Sequence, residues 1–283
     1  MTTKALPMPL HSLTAMVTPR QAICIADIGA SYLSPPAYDG LLKRGHARLV
    51  GFEPNPAECD KLRRLFGAPH QFHQSFVGRG GPATYHETST VYTGSLLKPN
   101  AVIGAAFTGL WESMTPVAEH AVQTVALDTV LAQETVDYIK IDVQGGELQV
   151  FEGARNTLKN VFVIHTEVEF VPLYENQPLF SDVDVYLRQQ GFCLVKFIDM
   201  RSGSLRPCIY NNDVNRGGNQ LLWSDALYVK DVIDLSWMDD DQLLRMAVVC
   251  HDVYQLGDFC FRILGEWDRR TGDCLASEYL SKC

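Results

Sequence analysis

The stretch V-D-Y-I-K-I-D-V-Q-G-G-E-L-Q-V-F-E-G-A, from Val136 to Ala154, decides the fold of this chain. Its segment Tyr138 to Val143 carries the β-branched and aromatic residues typical of a strand covered on both faces. Gly145 and Gly146 then allow a tight turn, and a helical pattern of apolar residues follows. Because ligands of open α/β sheets bind at the carboxyl ends of the strands, Asp142 is predicted to lie in a functional site.

Strands and helices alternate on both sides of this stretch. Further strands are predicted at Ala22 to Asp27, Arg48 to Glu53, His70 to Val77, Ala121 to Leu127, Phe162 to Glu167, Cys193 to Ile198 and Leu222 to Val229. Helices are predicted at Pro36 to Arg44, Asn55 to Phe66, Glu147 to Lys159 and Phe180 to Gln190. The alternation predicts an α/β fold, with a mostly parallel sheet and helices on both faces.

The opening stretch resembles the FkbM family of S-adenosylmethionine-dependent methyltransferases, and so does H-T-E-V-E-F-V-P-L-Y-E-N-Q-P, from His165 to Pro178. In motif order the resemblance runs from Ile23 to Lys230. It implies a class I methyltransferase (Rossmann-like) fold, S-adenosyl-L-methionine as cofactor and methyl transfer, usually to a hydroxyl oxygen. The expected acceptor is therefore a hydroxyl of a sugar, a glycan or another small metabolite.

Three regions follow one another along the chain. Met1 to Arg20 holds three prolines and is predicted to be an N-terminal arm, and Gln21 to Lys230 is the predicted methyltransferase domain. Asp231 to Cys283 shows two apolar helical stripes, which predict a helical hairpin docked on the domain or on a partner chain. The hairpin is thus a candidate homodimer interface. Within the domain, Arg79 to His120 is rich in glycine and proline and predicts a lid or binding loop.

The composition narrows the function classes. A net charge of -9 over 283 residues argues against a nucleic-acid partner, which would need clustered Lys and Arg. The sequence shows neither a membrane-spanning apolar stretch nor a secretory signal, so a cytoplasmic protein is expected. Eight cysteines without a C-x-x-C pair predict reduced thiols, with Cys24, Cys59 and Cys193 in strand or helix patterns.

The first predicted strand ends in I-A-D-I-G-A-S-Y, where a methyltransferase needs a glycine for close approach to the cofactor's methionine part. Gly29 meets that need, although one glycine after a strand is often only a turn residue. The cofactor-contact candidates at this turn are Asp27, Gly29, Ala30 and Ser31. A dinucleotide fold would require G-x-G-x-x-G here, and D-I-G-A-S-Y-L-S lacks the later glycines, which disfavours pyrophosphate binding.

The second predicted strand ends in Glu53, about two dozen residues after Gly29, at the spacing where a carboxylate reaches ribose hydroxyls. Glu53, Pro54 and Asn55 are therefore candidate cofactor contacts, and the alternative is that Glu53 only caps the next helix. The family resemblance adds further candidates. They are Ser75 and Phe76 near adenine, and Ser95 in T-G-S-L-L-K-P as a cofactor or substrate contact. At the glycine turn, Asp142, Gln144 and Gly145 are candidate cofactor contacts too, with Gln144 near the cofactor's amino-acid end.

The reacting centre is predicted where Asp142 and Glu167 end adjacent strands. Like charges brought together are costly unless a cation bridges them or one carboxyl is protonated, so the pair could form a general base or hold Mg²⁺ or Mn²⁺. The alternatives are that Asp142 only fixes the glycine turn and that Glu167 pairs with Lys140. His165 is expected to be a satisfied core residue, and Tyr174 to line the acceptor pocket or anchor its loop.

The sequence thus predicts an S-adenosylmethionine-dependent O-methyltransferase that acts on a small hydroxyl compound. One alternative is a non-catalytic, methyltransferase-like binding module whose helical tail recruits a partner. Another is a nucleotide-dependent oxidoreductase, which the glycine pattern disfavours.

Overall fold

The computed structural model describes residues 12–32, 34–214 and 216–282. The strands are β1 (Ile23–Ile28), β2 (Ala47–Phe52), β3 (Gln71–His73), β4 (Phe76–Val77), β5 (Gly81–Thr88), β6 (Pro116–Val125), β7 (Tyr138–Ile141), β8 (Val163–Glu169), β9 (Phe192–Gly203) and β10 (Gln220–Lys230). The α-helices are α1 (Asp39–Lys43), α2 (Pro56–Phe66), α3 (Ala101–Ala106), α4 (Leu110–Met114), α5 (Leu127–Val130), α6 (Glu147–Glu152), α7 (Phe180–Gln189), α8 (Asp240–Val248), α9 (Gly257–Thr271) and α10 (Leu275–Lys282). A π-helix, Val249–Val253, follows α8.

The main sheet has seven strands in the order β3-β2-β1-β7-β8-β10-β9. All neighbouring pairs from β3 to β8 are parallel, and β10 runs antiparallel to both β8 and β9. The strand order reverses between β1 and β7, which opens a crevice at their carboxyl ends. This topology is the predicted class I methyltransferase (Rossmann-like) fold, so the fold prediction is confirmed.

Both faces of the sheet are buried, as the continuous apolar strands predicted. On β1, Ile23 and Ile25 join one apolar cluster, whereas Cys24, Ala26 and Ile28 join the cluster on the opposite face. The first cluster is shared with the C-terminal helices, and the second with α6 and α7. Side chains that alternate along the strands therefore face two different helical layers.

The C-terminal extension contains three α-helices, so the predicted two-helix hairpin was incomplete. The missed helix is α10, whose Ala276 and Tyr279 are buried in the same cluster as α8 and α9. Its eight residues form too short an apolar pattern to stand out in the sequence. Leu243 and Ile263 are fully buried in that cluster, so the apolar faces are covered within one chain. The homodimer through these helices stays a prediction.

Arg79 to His120 is not a single loop. It supplies β5, α3, α4 and the first half of β6, and the three-stranded sheet β4-β6-β5 stands apart from the main sheet. Along β5, exposed residues alternate with half-buried or buried ones, so this strand lacks the apolar run that marks a core strand. The predicted strand His70 to Val77 is likewise divided, because β3 belongs to the main sheet and β4 to the small one.

One predicted helix is shorter in the structure. The helix expected from Glu147 to Lys159 ends at Glu152, and a 3-10 turn follows at Thr157–Lys159. A Cβ on Gly153 would lie 2.2 Å from the carbonyl oxygen of Gly78, so a glycine is needed where the chain leaves the helix. The N-terminal arm lies outside the described residues up to position 11.

Beyond position 11, Leu13 and Val17 of the arm are buried in the core, and Leu13 N donates to Oδ1 of Asp252 at 2.7 Å. Across the described ranges, none of the helices combines the length and apolar character needed to cross a bilayer.

Candidate active site

The β1 turn and the end of β7 are in direct contact. Asp142 N donates to the carbonyl oxygen of Ile28 at 3.0 Å, and the amides of Gly29 and Ala30 both donate to that of Phe52 at 3.0 Å. Gly29 has a φ of +78, and a Cβ there would lie 2.0 Å from the backbone oxygen of Asp142. The glycine therefore allows β1 and β7 to close together at the edge where a ligand would bind.

A buried charge cluster lies just below this turn. Asp27 is 4% exposed, and the Tyr38 hydroxyl donates to its Oδ2. Nζ of Lys140 lies 3.7 Å from Asp27 Oδ1, which has no hydrogen-bond partner among the described residues, and 3.8 Å from Oδ2 of Asp142. Burial raises the pKa of Asp27, and the charge of Lys140 opposes that rise. Lys140 therefore pairs with the two aspartates and not with Glu167.

Glu53 ends β2 at the same edge. The amide of Asn55 donates to its Oε1 at 2.7 Å, while the Asn55 side chain accepts from Ala57 N and Glu58 N and caps α2. Asn55, not Glu53, is thus the cap of the following helix, contrary to the alternative considered for Glu53. Burial raises the pKa of Glu53 to about 7. Such a carboxylate gains from a ligand that donates hydrogen bonds, since they favour its ionised form.

The weaker cofactor candidates have separate settings. Ser75 lies half-buried between β3 and β4, and the Phe76 ring packs on the Tyr85 ring with their centroids 5.0 Å apart. Ser95 is buried, and its hydroxyl donates to the backbone oxygen of Gln144 at 2.6 Å. Ser95 therefore holds the loop that follows β7. Ser31 and Pro54 follow the β1 turn and Glu53 respectively.

The predicted convergence of Asp142 and Glu167 is present, and a side-chain amide lies between them. Nε2 of Gln144 is 2.7 Å from Oδ1 of Asp142 and 2.9 Å from Oε2 of Glu167. One amide nitrogen carries two N–H donors, so each carboxylate can receive one. Gln144 has a φ of +59, and Gly145 follows at +94. This left-handed pair turns the Gln144 side chain back toward the carboxylates.

Tyr174 and Glu147 hold that turn in place. The Tyr174 hydroxyl lies 2.9 Å from the Thr93 carbonyl oxygen and 3.2 Å from Oε1 of Gln144, so this buried side chain anchors the loop. Glu147 Oε1 accepts from Val143 N at 3.0 Å and from Gly145 N at 3.2 Å. The sequence analysis missed Glu147, although a carboxylate two residues after a glycine turn is a recognisable partner for the turn amides.

Three glutamate side chains lie close together near Gln144. Glu147, Glu167 and Glu169 each offer an oxygen within 4.8 Å of the other two. Burial raises the pKa of Glu147 to about 7, and burial together with neighbouring carboxylates, among them Asp142, raises the pKa values of Glu167 and Glu169 well above the usual range. Backbone and side-chain N–H groups already donate to Glu147 and Glu167. These donors already occupy one oxygen each of Glu147 and Glu167. The predicted Mg²⁺ or Mn²⁺ stays a prediction.

A polar cavity of about 490 Å³ opens beside the pair. Its lining consists of Asp142, Glu167, Asp199, Arg201, Ser202, Trp223 and Asp225. The last five lie on β9 and β10 and were missed by the sequence analysis. The sequence feature that could have identified them is the polar interruption of two otherwise apolar strands. Nη2 of Arg201 lies 2.5 Å from Oδ2 of Asp199.

Both ring nitrogens of His165 on β8 have a polar partner. Its Nδ1 is 2.9 Å from the Tyr254 hydroxyl, and its Nε2 is 3.3 Å from Oδ2 of Asp225. This half-buried setting agrees with the expectation of a satisfied histidine.

Comparison with known proteins places the chain in a family. The profile of the methyltransferase FkbM domain matches residues 24–194. A search of curated proteins gives no match. Among solved structures, a precorrin-6y C5,15-methyltransferase from Geobacter metallireducens GS-15 is similar at 11% identity and a TM-score of 0.36, covering 75% of this chain and 84% of that one. The family match covers more than half of the chain, and the chain therefore belongs to the FkbM methyltransferase family.

Proposed function

We propose that this protein transfers the methyl group of S-adenosyl-L-methionine to a hydroxyl oxygen of a sugar or another small metabolite. The observation that carries the proposal is the meeting of three features at one sheet edge. They are the Gly29 turn, the Glu53 carboxylate and the polar cavity beside Asp142. A nucleoside with a short charged tail suits the first two, and a hydroxyl compound suits the third.

The chain's own residues fit the cofactor. Glu53 has one oxygen engaged by Asn55 N and a pKa of about 7, so ribose hydroxyls would complete its hydrogen bonds. Asp27 has a buried oxygen without a hydrogen-bond partner among the described residues, which suits the ammonium group of the methionine part. When bound, the cofactor supplies an electrophilic methyl group on a sulfonium ion.

Asp142 and Glu167 are the proposed catalytic residues. The Asp142 side chain is 42% exposed to the cavity, and Gln144 fixes its direction. It accepts the hydrogen bond of the acceptor hydroxyl and turns the oxygen toward the methyl carbon. The bound cofactor would supply the methyl group, and the Asp142 carboxylate would take the proton that the acceptor hydroxyl loses on methylation. Holding the acceptor in line can by itself lower the barrier by about 7–11 kcal/mol. Burial and the neighbouring carboxylates raise the pKa of Glu167, which favours its protonated form, and in that form Glu167 can donate to the acceptor.

The cavity favours a neutral or amine-bearing acceptor. Four carboxyl groups line it against one cation, and Arg201 is already paired with Asp199. A phosphate or carboxylate on the acceptor would face these acids without a partner, which is unfavourable. A sugar or amino sugar offers hydroxyl and amine donors for them, and Trp223 offers a ring face.

Two other functions are less well supported. An oxidoreductase would require a pyrophosphate cradle, and the β1 turn has a single glycine where G-x-G-x-x-G is needed. A non-catalytic binding module would not need the Asp142–Gln144–Glu167 arrangement beside a cavity.

The test combines binding with transfer. Titration with S-adenosylhomocysteine measures cofactor binding, and protein with methyl-labelled S-adenosylmethionine is offered glucose, inositol, glucosamine, glucose 6-phosphate and glucuronic acid. We expect micromolar binding of S-adenosylhomocysteine and methyl label on a neutral or amino compound. Base treatment that would cleave an ester should not release this label. Binding without transfer to any hydroxyl compound would favour the binding module, and binding of NADH instead would favour the oxidoreductase. The cytoplasmic location stays a prediction.

A further inference from the structure

A row of hydrogen bonds leads from the C-terminal extension to the cavity. Tyr254 follows the π-helix and is 5% exposed, and its hydroxyl lies 2.9 Å from Nδ1 of His165 on β8. Nε2 of His165 lies 3.3 Å from Oδ2 of Asp225 on β10, and Asp225 lines the cavity. Tyr138 extends the row inward, with its hydroxyl 2.5 Å from that of Tyr254.

The donors in this row can be assigned. Burial acts to raise the pKa of Asp225, but the hydrogen bond from His165 and the positive charges of Lys140 and Arg201 outweigh it and keep that pKa below its usual range, so Asp225 is an acceptor. A neutral histidine donates from one nitrogen and accepts at the other. Nε2 of His165 therefore donates to Asp225, and Nδ1 accepts from Tyr254. Burial raises the pKa of Tyr254 and of Tyr138, so both hydroxyls keep their protons and can donate.

Tyr254 is itself held from several directions. Nζ of Lys196 on β9 donates to its carbonyl oxygen at 3.1 Å. Its ring meets that of Tyr138 edge-on, with centroids 6.0 Å apart, and lies 5.8 Å from that of His165. Because Tyr254 is held in one position, its hydrogen bond can orient the His165 imidazole. The imidazole can in turn orient the Asp225 carboxylate.

We propose that Asp225 binds the methyl acceptor and that Tyr254 is a positioning residue, which holds Asp225 in place through His165. The inference rests on the proposed function, because it assigns the cavity to the acceptor. Asp225 accepts a hydrogen bond from a hydroxyl or amine of the acceptor other than the oxygen that is methylated. Both β10 and the extension lie outside the matched residues 24–194, so this part of the site is carried by the remainder of the chain.

The first test needs no acceptor. In protein labelled with ¹⁵N-histidine, the ring nitrogens of His165 are assigned by comparison with a His165→Gln variant. We expect the Nε2–H tautomer in both the wild type and Tyr254→Phe, because Asp225 accepts from Nε2 in both proteins. The Nδ1 resonance should shift and the ring signals should broaden in Tyr254→Phe, which has lost the hydroxyl that donates to Nδ1. The matched control is Tyr279→Phe, which removes another buried hydroxyl of the extension, 2.9 Å from Nδ1 of His251. Ring resonances of His165 unchanged by Tyr254→Phe would overturn the positioning role.

The second test uses whichever of glucose, inositol and glucosamine is methylated. Losing a hydrogen bond to a charged group predicts that Asp225→Asn raises the acceptor KM by about tenfold or more, with kcat changed by less than about threefold. Tyr254→Phe should raise the same KM by a smaller factor and add nothing in the Asp225→Asn background, while Tyr279→Phe leaves it unchanged. Independent, multiplying effects of the two substitutions would overturn the link.

Failure of the proposed function gives a different result. If no methyl group is transferred to any acceptor, the proposed function and the acceptor-binding role of Asp225 both fall. The comparison of the His165 ring resonances still decides whether Tyr254 positions His165, because it is read from the protein alone.

Discussion

Gly29 and Asp142 are in backbone contact across the switch point of the sheet, where a Cβ on Gly29 would lie 2.0 Å from the carbonyl oxygen of Asp142. The same glycine has a φ of +78, a conformation that residues with a side chain adopt at a cost. The backbone φ and the close contact with Asp142 therefore both favour glycine at position 29. The contact also couples the cofactor turn to the catalytic turn, because any shift of Gly29 moves the residue that bears the proposed catalytic carboxylate.

The first prediction concerns Gly29→Ala. A left-handed backbone alone costs a residue with a side chain about 1–2 kcal/mol, and the collision with Asp142 adds to this. Gly45→Ala is the matched control, since Gly45 has a φ of +72 and no neighbouring atom within 4 Å of the point that an added Cβ would occupy. In urea unfolding, Gly29→Ala should lose clearly more stability than Gly45→Ala. Equal losses would show that the contact with Asp142 relaxes freely.

The second prediction concerns Glu53 and pH. Glu53→Ala should weaken S-adenosylhomocysteine binding by about 1.5–3 kcal/mol, the usual value of a hydrogen bond to a charged group. Because the pKa of Glu53 is about 7 and ribose hydroxyls favour its ionised form, wild-type affinity should fall as the pH drops from 8 to 6. Calorimetric titration at both pH values measures this.

Glu53→Gln should remove the pH dependence, whereas Glu278→Gln, an exposed carboxylate on α10, should keep it. The nearby Glu58 and Asp27 raise the pKa of Glu53, Lys140 lowers it, and all three are present in these variants. Identical affinity of Glu53→Ala and wild type, with both folded, would remove Glu53 from the cofactor site.

The third prediction concerns Asp142→Asn, which preserves size and removes charge. If Asp142 accepts the hydroxyl proton, turnover should fall by about 10²–10⁴ with little change in melting temperature. Asp60→Asn, on the exposed face of α2, is the control for a lost surface carboxylate. A variant that unfolds while its folded fraction remains fully active would leave Asp142 only the role of fixing the glycine turn.

The same assay tests the predicted cation. Loss of activity with a chelator and its recovery with Mg²⁺ or Mn²⁺ would support a metal at Asp142 and Glu167. Full activity in the chelator is the expected result if the Gln144 amide satisfies both carboxylates, since its nitrogen lies within 2.9 Å of each.

The part of the structure that can be predicted from the sequence is clearest at β7. Its apolar run, the glycine turn and Asp142 are local features, and they predicted both the strand and the position of Asp142 at its carboxyl end. The neighbouring Glu167 was also predictable, because consecutive parallel strands bring their carboxyl ends together. The role of Gln144 was not predictable, because it depends on a φ of +59 that the residue type does not indicate.

The rest of the site depends on contacts between residues distant in sequence. Asp225 and His165 come from different strands, and Tyr254 comes from the C-terminal extension, 89 positions beyond His165. The polar interruption of β10 marks Asp225 as a polar position, but it does not show whether that position lines a cavity or faces open solvent. Similarly, β5 pairs with β6 across a long segment, and its alternating exposure gave no core signal.

The fourth prediction concerns stability and pH. The pKa of buried Glu169 is raised, so the folded state holds its proton more tightly than the unfolded chain, whose pKa is about 4.3. The unfolding free energy should therefore fall as the pH rises above that value, by up to about 1.4 kcal/mol per unit for one proton. Glu169→Gln does not titrate and should flatten the decline between pH 5.5 and 8, whereas the exposed Glu278→Gln should not. Parallel curves for all three proteins would contradict the assignment.

The last prediction concerns the docking of the C-terminal extension. Leu264 on α9 is 0% exposed and belongs to the cluster that contains Ile25 and Tyr138 of the main sheet. Removing its side chain leaves a cavity between extension and sheet, so Leu264→Ala should cost about 2–5 kcal/mol. Phe261→Ala is the control on the same helix, because Phe261 is 38% exposed and a surface truncation costs far less. If the extension were an independent appendage, Leu264→Ala would leave the main unfolding transition in place and produce a separate, earlier one. A single transition shifted to lower urea, seen equally by tryptophan fluorescence and circular dichroism, is the expected result.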